Sequence, residues 1–255
     1  MSFPQAALQS SLRRAAAAGR DTERIGPFLA TFSPHSNHHT HNYAVPDDGA
    51  VPTPSDVDEL TAAYRRRDLL PRLEYLTATA PAAEAVLAAG GYSVERRIPL
   101  MACAEADAVP PRAIDGIALR VPGTDAEFGQ MYAAQNEAFG GAREATSDDI
   151  VRLRKLLADG GFAILAADRE TGEIVGGGQA SVPGDGMTEL LGLAVREPYR
   201  RRGICVAMTA ALTRFALDAG AHTPFLTPFG EREGRIYAKA GYRQHTEMLH
   251  LIRES

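Results

Sequence analysis

The chain has 255 residues, 45% of them apolar and 23% charged, the balance of a soluble globular protein with one large domain or one and a half. Its 27 Lys and Arg against 32 Asp and Glu leave a net charge of −5, which disfavours a general nucleic-acid binder, and the two cysteines, Cys103 and Cys205, exclude a disulfide framework and a four-cysteine zinc site. No run of about 18 apolar residues is present to span a bilayer, and the N-terminal Arg13 and Arg14 lie in an Ala-rich stretch without the apolar core of a secretory signal, so a cytoplasmic protein without membrane or nucleic-acid partners is expected.

The Ala-rich stretch from Gln5 to Arg20 predicts a helix, with Gly19 near its stop. Ser33 to Pro54 reads as a loop holding His35, His38, His39 and His41, then Asn42-Tyr43-Ala44-Val45-Pro46-Asp47, then Pro52 and Pro54. Imidazoles at this spacing suit a solvated loop, an acceptor pocket or a metal site. With no cysteine nearby and a polar, Pro-bounded context, the solvated loop is the reading adopted and no metal is expected. Ser55 is the expected N-cap of a helix reaching about Arg67. Leu73 to Leu76 reads as a short strand, Pro81 to Ala89 as a helix with Pro in its first turn, and Tyr92 to Met101 as a strand after the stop at Gly90-Gly91. A Pro-containing linker at Ala108 to Arg112 separates this region from the rest.

Beyond the linker, Ile117 to Val121 is a strand, and Phe128, Met131, Tyr132 and Phe139 mark one face of a helix. Ile150, Leu153 and Leu157 mark a second helix. The wholly apolar run Phe162 to Ala167 fits a strand buried on both faces, and Thr171-Gly172 turns the chain into its partner, Ile174 to Val182. Glu189 to Val195 is a further strand, followed by the turn Glu197 to Cys205 and a helix through Met208, Leu212, Phe215 and Ala219. Phe225-Leu226, the helix Glu231 to Ala240 and the strand Tyr242 to Ile252 complete the order βααβββαβαβ. That order predicts an α/β layer structure with a mixed sheet flanked by helices.

The two regions echo each other at an offset of 150: Gly91-Tyr92 falls on Gly241-Tyr242, Leu76-Thr77 on Leu226-Thr227, Tyr75 on Phe225 and Ala88 on Ala238. A partial structural repeat is the expectation. Tyr64 to Arg67 copies Tyr199 to Arg202 at a different offset, late in a helix and with no following Gly, and is read as coincidence.

The stretch Glu189 to Ala219 carries the chemistry. An apolar strand enters an Arg-rich turn with one glycine and opens straight into an amphipathic helix. The first turn of a helix has unpaired N–H groups and the positive end of its dipole, so it attracts anions. Gly203 lets a phosphate approach the backbone, and Arg200, Arg201 and Arg202 add positive charge. The whole context reads as a diphosphate cradle, whereas the Arg triplet alone would favour a solvated basic loop.

Here the sequence resembles the GNAT superfamily of acyl-CoA-dependent N-acetyltransferases. That family's signature, Gln/Arg-x-x-Gly-x-Gly/Ala, is matched by Arg200-Arg201-Arg202-Gly203-Ile204-Cys205 except at the last position, with Leu193-Ala194-Val195-Arg196-Glu197-Pro198-Tyr199 as the lead-in. Ile236-Tyr237-Ala238-Lys239-Ala240-Gly241-Tyr242 looks like the family's second motif, and the resemblance covers Ile114 to Ile252. It implies a GNAT-like mixed sheet and acetyl-CoA as co-substrate. Its pantetheine arm would pair with the strand at Leu193, Ala194 and Val195, beside a bulge where two strands splay, and its diphosphate would sit on the amides of Arg201 to Cys205. Tyr237 falls where a tyrosine commonly protonates the departing sulfur; packing of its ring is the alternative. Glu189, six residues before Val195 and therefore expected on the same side of the strand, is the candidate base, against a merely solvated or ion-paired carboxylate. A main-chain N–H near Val195 would polarise the acyl carbonyl.

Cys205 departs from the signature: it is either a small residue tolerated at the helix start or a thiol made reactive there. Gly230 stands where the family often carries a cofactor-touching asparagine. The resemblance divides the chain into residues 1–108, a degenerate GNAT-like region with Leu87 in the place of Tyr237 and no cofactor site, and residues 112–255, the N-acetyltransferase domain. The implied activity is acetyl transfer to an unidentified primary amine of a small molecule or peptide, by a monomer or homodimer. A non-catalytic acyl-CoA-binding module is the alternative.

Overall fold

The computed structural model describes residues 4–17, 19–141 and 144–254, so Ala18 of the first predicted helix lies outside the described residues. The elements are α1 (Gln5–Ala17), β1 (Asp21–Ile25), β2 (Phe28–Phe32), β3 (Ala44–Pro46), α2 (Pro54–Arg65), β4 (Arg72–Leu76), α3 (Ala83–Ala89), β5 (Ser93–Ala102), β6 (Ile117–Arg120), α4 (Asp125–Ala138), α5 (Ser147–Ala158), β7 (Phe162–Asp168), β8 (Ile174–Ala180), β9 (Met187–Val195), α6 (Ile204–Asp218), β10 (Thr223–Leu226), α7 (Glu231–Ala238) and β11 (Arg243–Ile252). From β6 onward they follow the predicted order. Among the described residues no helix is long and apolar enough to cross a membrane.

The described residues pack as two units, one from Met1–Leu100 with His245–Ser255 and one from Met101–Gln244. The first holds β1, β2, β3, β4, β11 and β5 in that sheet order. The β1–β2 hairpin, turned at Gly26-Pro27, is absent from the sequence reading because β1 is an exposed edge strand written Asp-Thr-Glu-Arg-Ile, with one buried residue at its end. β3 lies inside the stretch read as loop; only three residues long, it is fully buried, antiparallel to β2 and parallel to β4. The N-cap of α2 is Thr53 rather than Ser55. Its hydroxyl accepts from Asp56 N while the Asp56 carboxylate accepts from Thr53 N, and Pro54 takes the first helical position, where no N–H is needed. The core gathers Phe28, Leu60, Tyr64, Leu73, Leu87, Leu249 and Leu251.

In the second unit the sheet runs from β6 through β7, β8 and β9 to β10, all antiparallel except β9 with β10. Ile164 and Ala166 of β7 join the core beneath α6, whereas Ala163, Leu165 and Ala167 join that beneath α4 and α5. The strand is thus buried on both faces, as its unbroken apolar run predicted. β10's other neighbour is the end of β5, through Phe225 with Ala102 and Leu226 with Met101, and the last strand, β11, pairs with β4.

The offset of 150 places α2 on α6, β4 on β10, α3 on α7 and β5 on β11. A related contact recurs, with its threonine shifted by two positions from the offset: Tyr92 Oη meets Thr61 Oγ1 at 3.1 Å, and Tyr242 Oη meets Thr213 Oγ1 at 2.8 Å. Each threonine also donates to the carbonyl four residues back on its helix. The first unit repeats more of the pattern than its sequence announced, since β1 and β2 precede the parallel pair of β3 and β4 as β7 and β8 precede that of β9 and β10.

Candidate functional site

β9 and β10 are paired only from Met187 with Thr223 to Glu189 with Phe225. Beyond that point they part, leaving one edge of β9 open from Leu190 toward Val195. On its other edge β9 carries a bulge. Leu191 pairs with Gln179 and Ala194 with Gly177, so Gly192 and Leu193 together oppose Gly178. Gly192 adopts a left-handed conformation (φ 65°), and a Cβ there would fall 2.6 Å from Gln135 Nε2. The carbonyl of Gly192 accepts a hydrogen bond from that nitrogen at 2.6 Å. Arg196 N donates to Val175 O on the β8 side, so by strand alternation the N–H of Val195 faces the open edge.

The bulge corrects one expectation. Leu190, Leu193 and Val195 pack in the core with α6. Glu189 lies opposite Ser181 and Val195 opposite Gly176; positions five apart on β8 point to opposite faces. Glu189 therefore shares the α4 face with Leu191 instead of lying on the side of Val195. The six-residue count failed because Gly192 inserts an extra residue into the alternation.

The turn after β9 reaches left-handed conformations at Arg201 (φ 64°) and Gly203 (φ 86°), then opens α6. Helices α2, α4 and α5 close their first turns with Thr-acid capping boxes, but α6 begins at Gly203 with no side-chain cap. Its first amides are left for another partner. They face a trough of about 510 Å³ lined by Arg200, Arg201, Arg232, Arg235 and Lys239. The three arginines of the turn are not equivalent. Arg200 donates from Nε to Val195 O (3.0 Å) and from Nη2 to Ala138 O (3.1 Å), fastening the turn to the end of β9 and to the C-terminus of α4. Arg202 donates to Asp115 O at 2.9 Å and lines an adjoining hollow of about 420 Å³ that also includes Gly203 and Lys239.

The trough joins a cleft of about 660 Å³ along Leu193, Ala194 and Val195, with Tyr237, Glu233 and Cys205 among its other walls. Burial pushes the Tyr237 phenol well above the ordinary tyrosine range, with Cys205 and Glu233 adding to the rise, so it stays protonated at neutral pH. Burial also pushes the Cys205 thiol up to about 11. A thiol raised in this way favours the reading of a small residue tolerated at the helix start over an activated thiol. At the end of the cleft away from the trough, Phe139 and Phe229 are 54% and 72% exposed and bring their ring centroids within 6.1 Å.

Ile204 is buried at the start of α6, with its side chain in the core. The histidine loop belongs to the first unit: His38 stacks on His39 at 4.4 Å, His41 meets Ser36 at 2.9 Å, and His39 lies 3.6 Å from Glu95. Among the described residues no group of three or more His, Cys, Asp or Glu could hold a metal ion.

Sequence reasoning missed Arg232, Arg235 and Lys239, although their spacing already writes a basic stripe on one face of a helix. It also missed Gly192, whose place inside an apolar strand pattern signals a bulge. Gln135 and Phe229 gave no local signal, and Phe139, read as part of an apolar helix face, is instead exposed just past the last turn of α4.

Residues 128–242 match the model of the acetyltransferase (GNAT) family. Among solved structures, a GCN5-related N-acetyltransferase from Kribbella flavida is similar over 100% of this chain and 97% of its own, at 23% identity and a TM-score of 0.83. A GCN5-related N-acetyltransferase from Sphaerobacter thermophilus covers 90% of this chain and 81% of its own, at 19% identity and a TM-score of 0.63. A tandem GNAT protein from the clavulanic acid biosynthesis pathway covers 93% and 84%, at 13% identity and a TM-score of 0.67. At these identities the likenesses establish the fold. No curated protein matches the chain.

Proposed function

We propose that the GNAT-family acetyltransferase domain this chain carries over residues 128–242 moves an acetyl group from acetyl-CoA to a primary amine of a small molecule or peptide by direct attack. One observation carries the reading: the open edge of β9 runs directly into the uncapped, cation-lined start of α6. A long ligand with amides at one end and a diphosphate at the other fits that sequence of partners. The amides of Gly203, Ile204 and Cys205 would hold the diphosphate, with Arg201, Arg232, Arg235 and Lys239 offsetting its charge. The edge at Leu193 and Val195 would pair with the amide-bearing arm.

Bound acetyl-CoA supplies an activated acyl carbonyl and a thiolate leaving group. Glu189, on the α4 face, is assigned to take a proton from the arriving ammonium. Tyr237 packs on the α6 side and is assigned to hand its proton to the leaving sulfur. A base and an acid on opposite faces of the splay suit an amine that enters from one side while the thiol departs on the other. The exposed rings of Phe139 and Phe229 favour an acceptor with an apolar flank.

Residues 1–108 are assigned no cofactor site. The start of α2 is occupied by the Asp56 carboxylate, which its hydrogen bonds from Thr53 hold below the usual aspartate range, and that negative charge would repel a phosphate.

Thiol release from acetyl-CoA, followed with a chromogenic disulfide over a panel of primary amines, tests the assignment. Turnover on at least one amine is expected, with Tyr237→Phe lowering kcat about 100-fold and leaving the KM for acetyl-CoA within about twofold. Tight CoA binding without turnover on any amine, unaffected by Tyr237→Phe, would establish the non-catalytic module instead.

A further inference from the structure

We propose that Gln135 is a positioning residue: by holding the carbonyl of Gly192 it turns the N–H of Leu193 into the cleft, where it can meet the acyl oxygen. The inference rests on the acetyl-transfer reading for what that oxygen is, but its geometry stands on four observations.

Gln135 is 3% exposed on α4, and its Nε2 donates to Gly192 O at 2.6 Å, at the short end for an N–H···O bond. In a trans peptide the carbonyl oxygen and the following N–H point in opposite directions. Anchoring Gly192 O to α4 therefore sends the Leu193 N–H away from that helix, and by alternation from Val195, two residues on, it faces the open edge of β9 that borders the cleft. Gly192 is in the left-handed region, with no room for a Cβ beside Gln135. A peptide following such a glycine has little intrinsic preference against turning over. Turned over, it would offer a carbonyl to the cleft and repel an acyl oxygen.

Gln135 Oε1, finally, is buried without a hydrogen-bond partner. An apolar side chain would fill the same space without the orphaned acceptor, so packing alone gives no reason for a glutamine there. The bond to Gly192 does.

Gln135→Leu removes the donor, and Gln135→Glu keeps the shape while replacing the donor with a carboxylate. In the wild type, the Leu193 amide resonance is expected to move downfield when acetyl-CoA is added, and not when CoA is added. In Gln135→Leu that displacement should vanish, with the Kd for CoA within about threefold and kcat lowered roughly 10- to 100-fold, the cost of losing one preorganised donor. Gln135→Glu should be as slow as Gln135→Leu at alkaline pH and regain activity as pH falls, because the protonated carboxyl again donates to Gly192 O. Tyr132 and Glu189 lie on this face, with Asp149 and Arg152 of α5 beside Tyr132, and all four are retained in the wild-type control profile.

An unchanged Leu193 displacement in Gln135→Leu, a parallel loss of CoA affinity and kcat, or no recovery of Gln135→Glu at low pH would each overturn the role. If the wild type shows the Leu193 displacement yet acetylates no amine, the positioning role stands and the acetyl-transfer reading falls.

Discussion

Cys205 illustrates how position and environment compete at one residue. Its place in the first turn of α6 lowers a thiol's pKa through the helix dipole, while its surroundings withdraw it from water. Burial, with the Glu233 carboxylate adding to it and a hydrogen bond with Thr209 opposing it, pushes the thiol up to about 11; Cys103, buried in the same unit, is pushed up to about 11 as well. A raised pKa means less thiolate at neutral pH than an exposed cysteine holds. Alkylation of the folded protein by iodoacetamide at pH 7.5 is therefore expected to be at least about tenfold slower than that of a small thiol of ordinary pKa near 8.5, and to accelerate as pH rises toward 11. Mass spectrometry of time points checks this, and rapid labelling of Cys205 at pH 7.5 would refute it. The sequence showed that this position departs from the family signature. Which influence would win depended on side chains from α7 and β9 that no local reading brings to Cys205.

At the scale of elements, the start of α6 differs from those of α2, α4 and α5 in leaving its amides uncapped. Thr53→Ala should cost about 1 kcal/mol of stability and leave CoA binding unchanged, because that cap serves only its own helix. Gly203→Ala places a Cβ at φ 86°, a conformation that costs an L residue about 1–2 kcal/mol, and relief of the strain would shift the amides facing the trough. CoA affinity, measured by calorimetry, should fall about tenfold for Gly203→Ala, whereas equal affinities in the two variants would separate the helix start from the ligand. The strand–turn–helix order around Gly203 was legible because residue types and spacing write it locally. The face of Glu189 was not, since one left-handed glycine shifts the alternation and its effect shows only against the register of β8. β1 and β3 escaped for a related reason: an exposed edge strand and a three-residue central strand carry too short an apolar pattern to be seen without their partners.

For the whole molecule, the telling element is β11. Leu249 and Leu251 are fully buried in the core of the first unit, beside residues more than 150 positions earlier in the chain, such as Leu73 and Leu87. Deleting residues 245–255 removes both side chains, each contributing about 1.5–3 kcal/mol by burial, and strips β4 of a paired neighbour. The deletion should lower the thermal midpoint and expose the first unit to proteolysis, although every residue assigned to the cleft is retained. Cleavage confined to residues 101–244 would contradict this packing. By itself the sequence determined the α/β order after the linker, the strand–turn–helix at Gly203 and the offset of 150, since periodicity, a glycine at a helix start and a repeated Gly-Tyr are local or translational signals. Only the tertiary structure decided which unit the last strand completes, that Glu189 faces α4, and that Gln135 reaches the carbonyl of Gly192. Strand partners, faces and buried hydrogen bonds belong to pairs of residues far apart in the chain. They are set where distant backbones must satisfy one another's N–H and C=O groups, and no stretch of sequence contains both halves of such a pair.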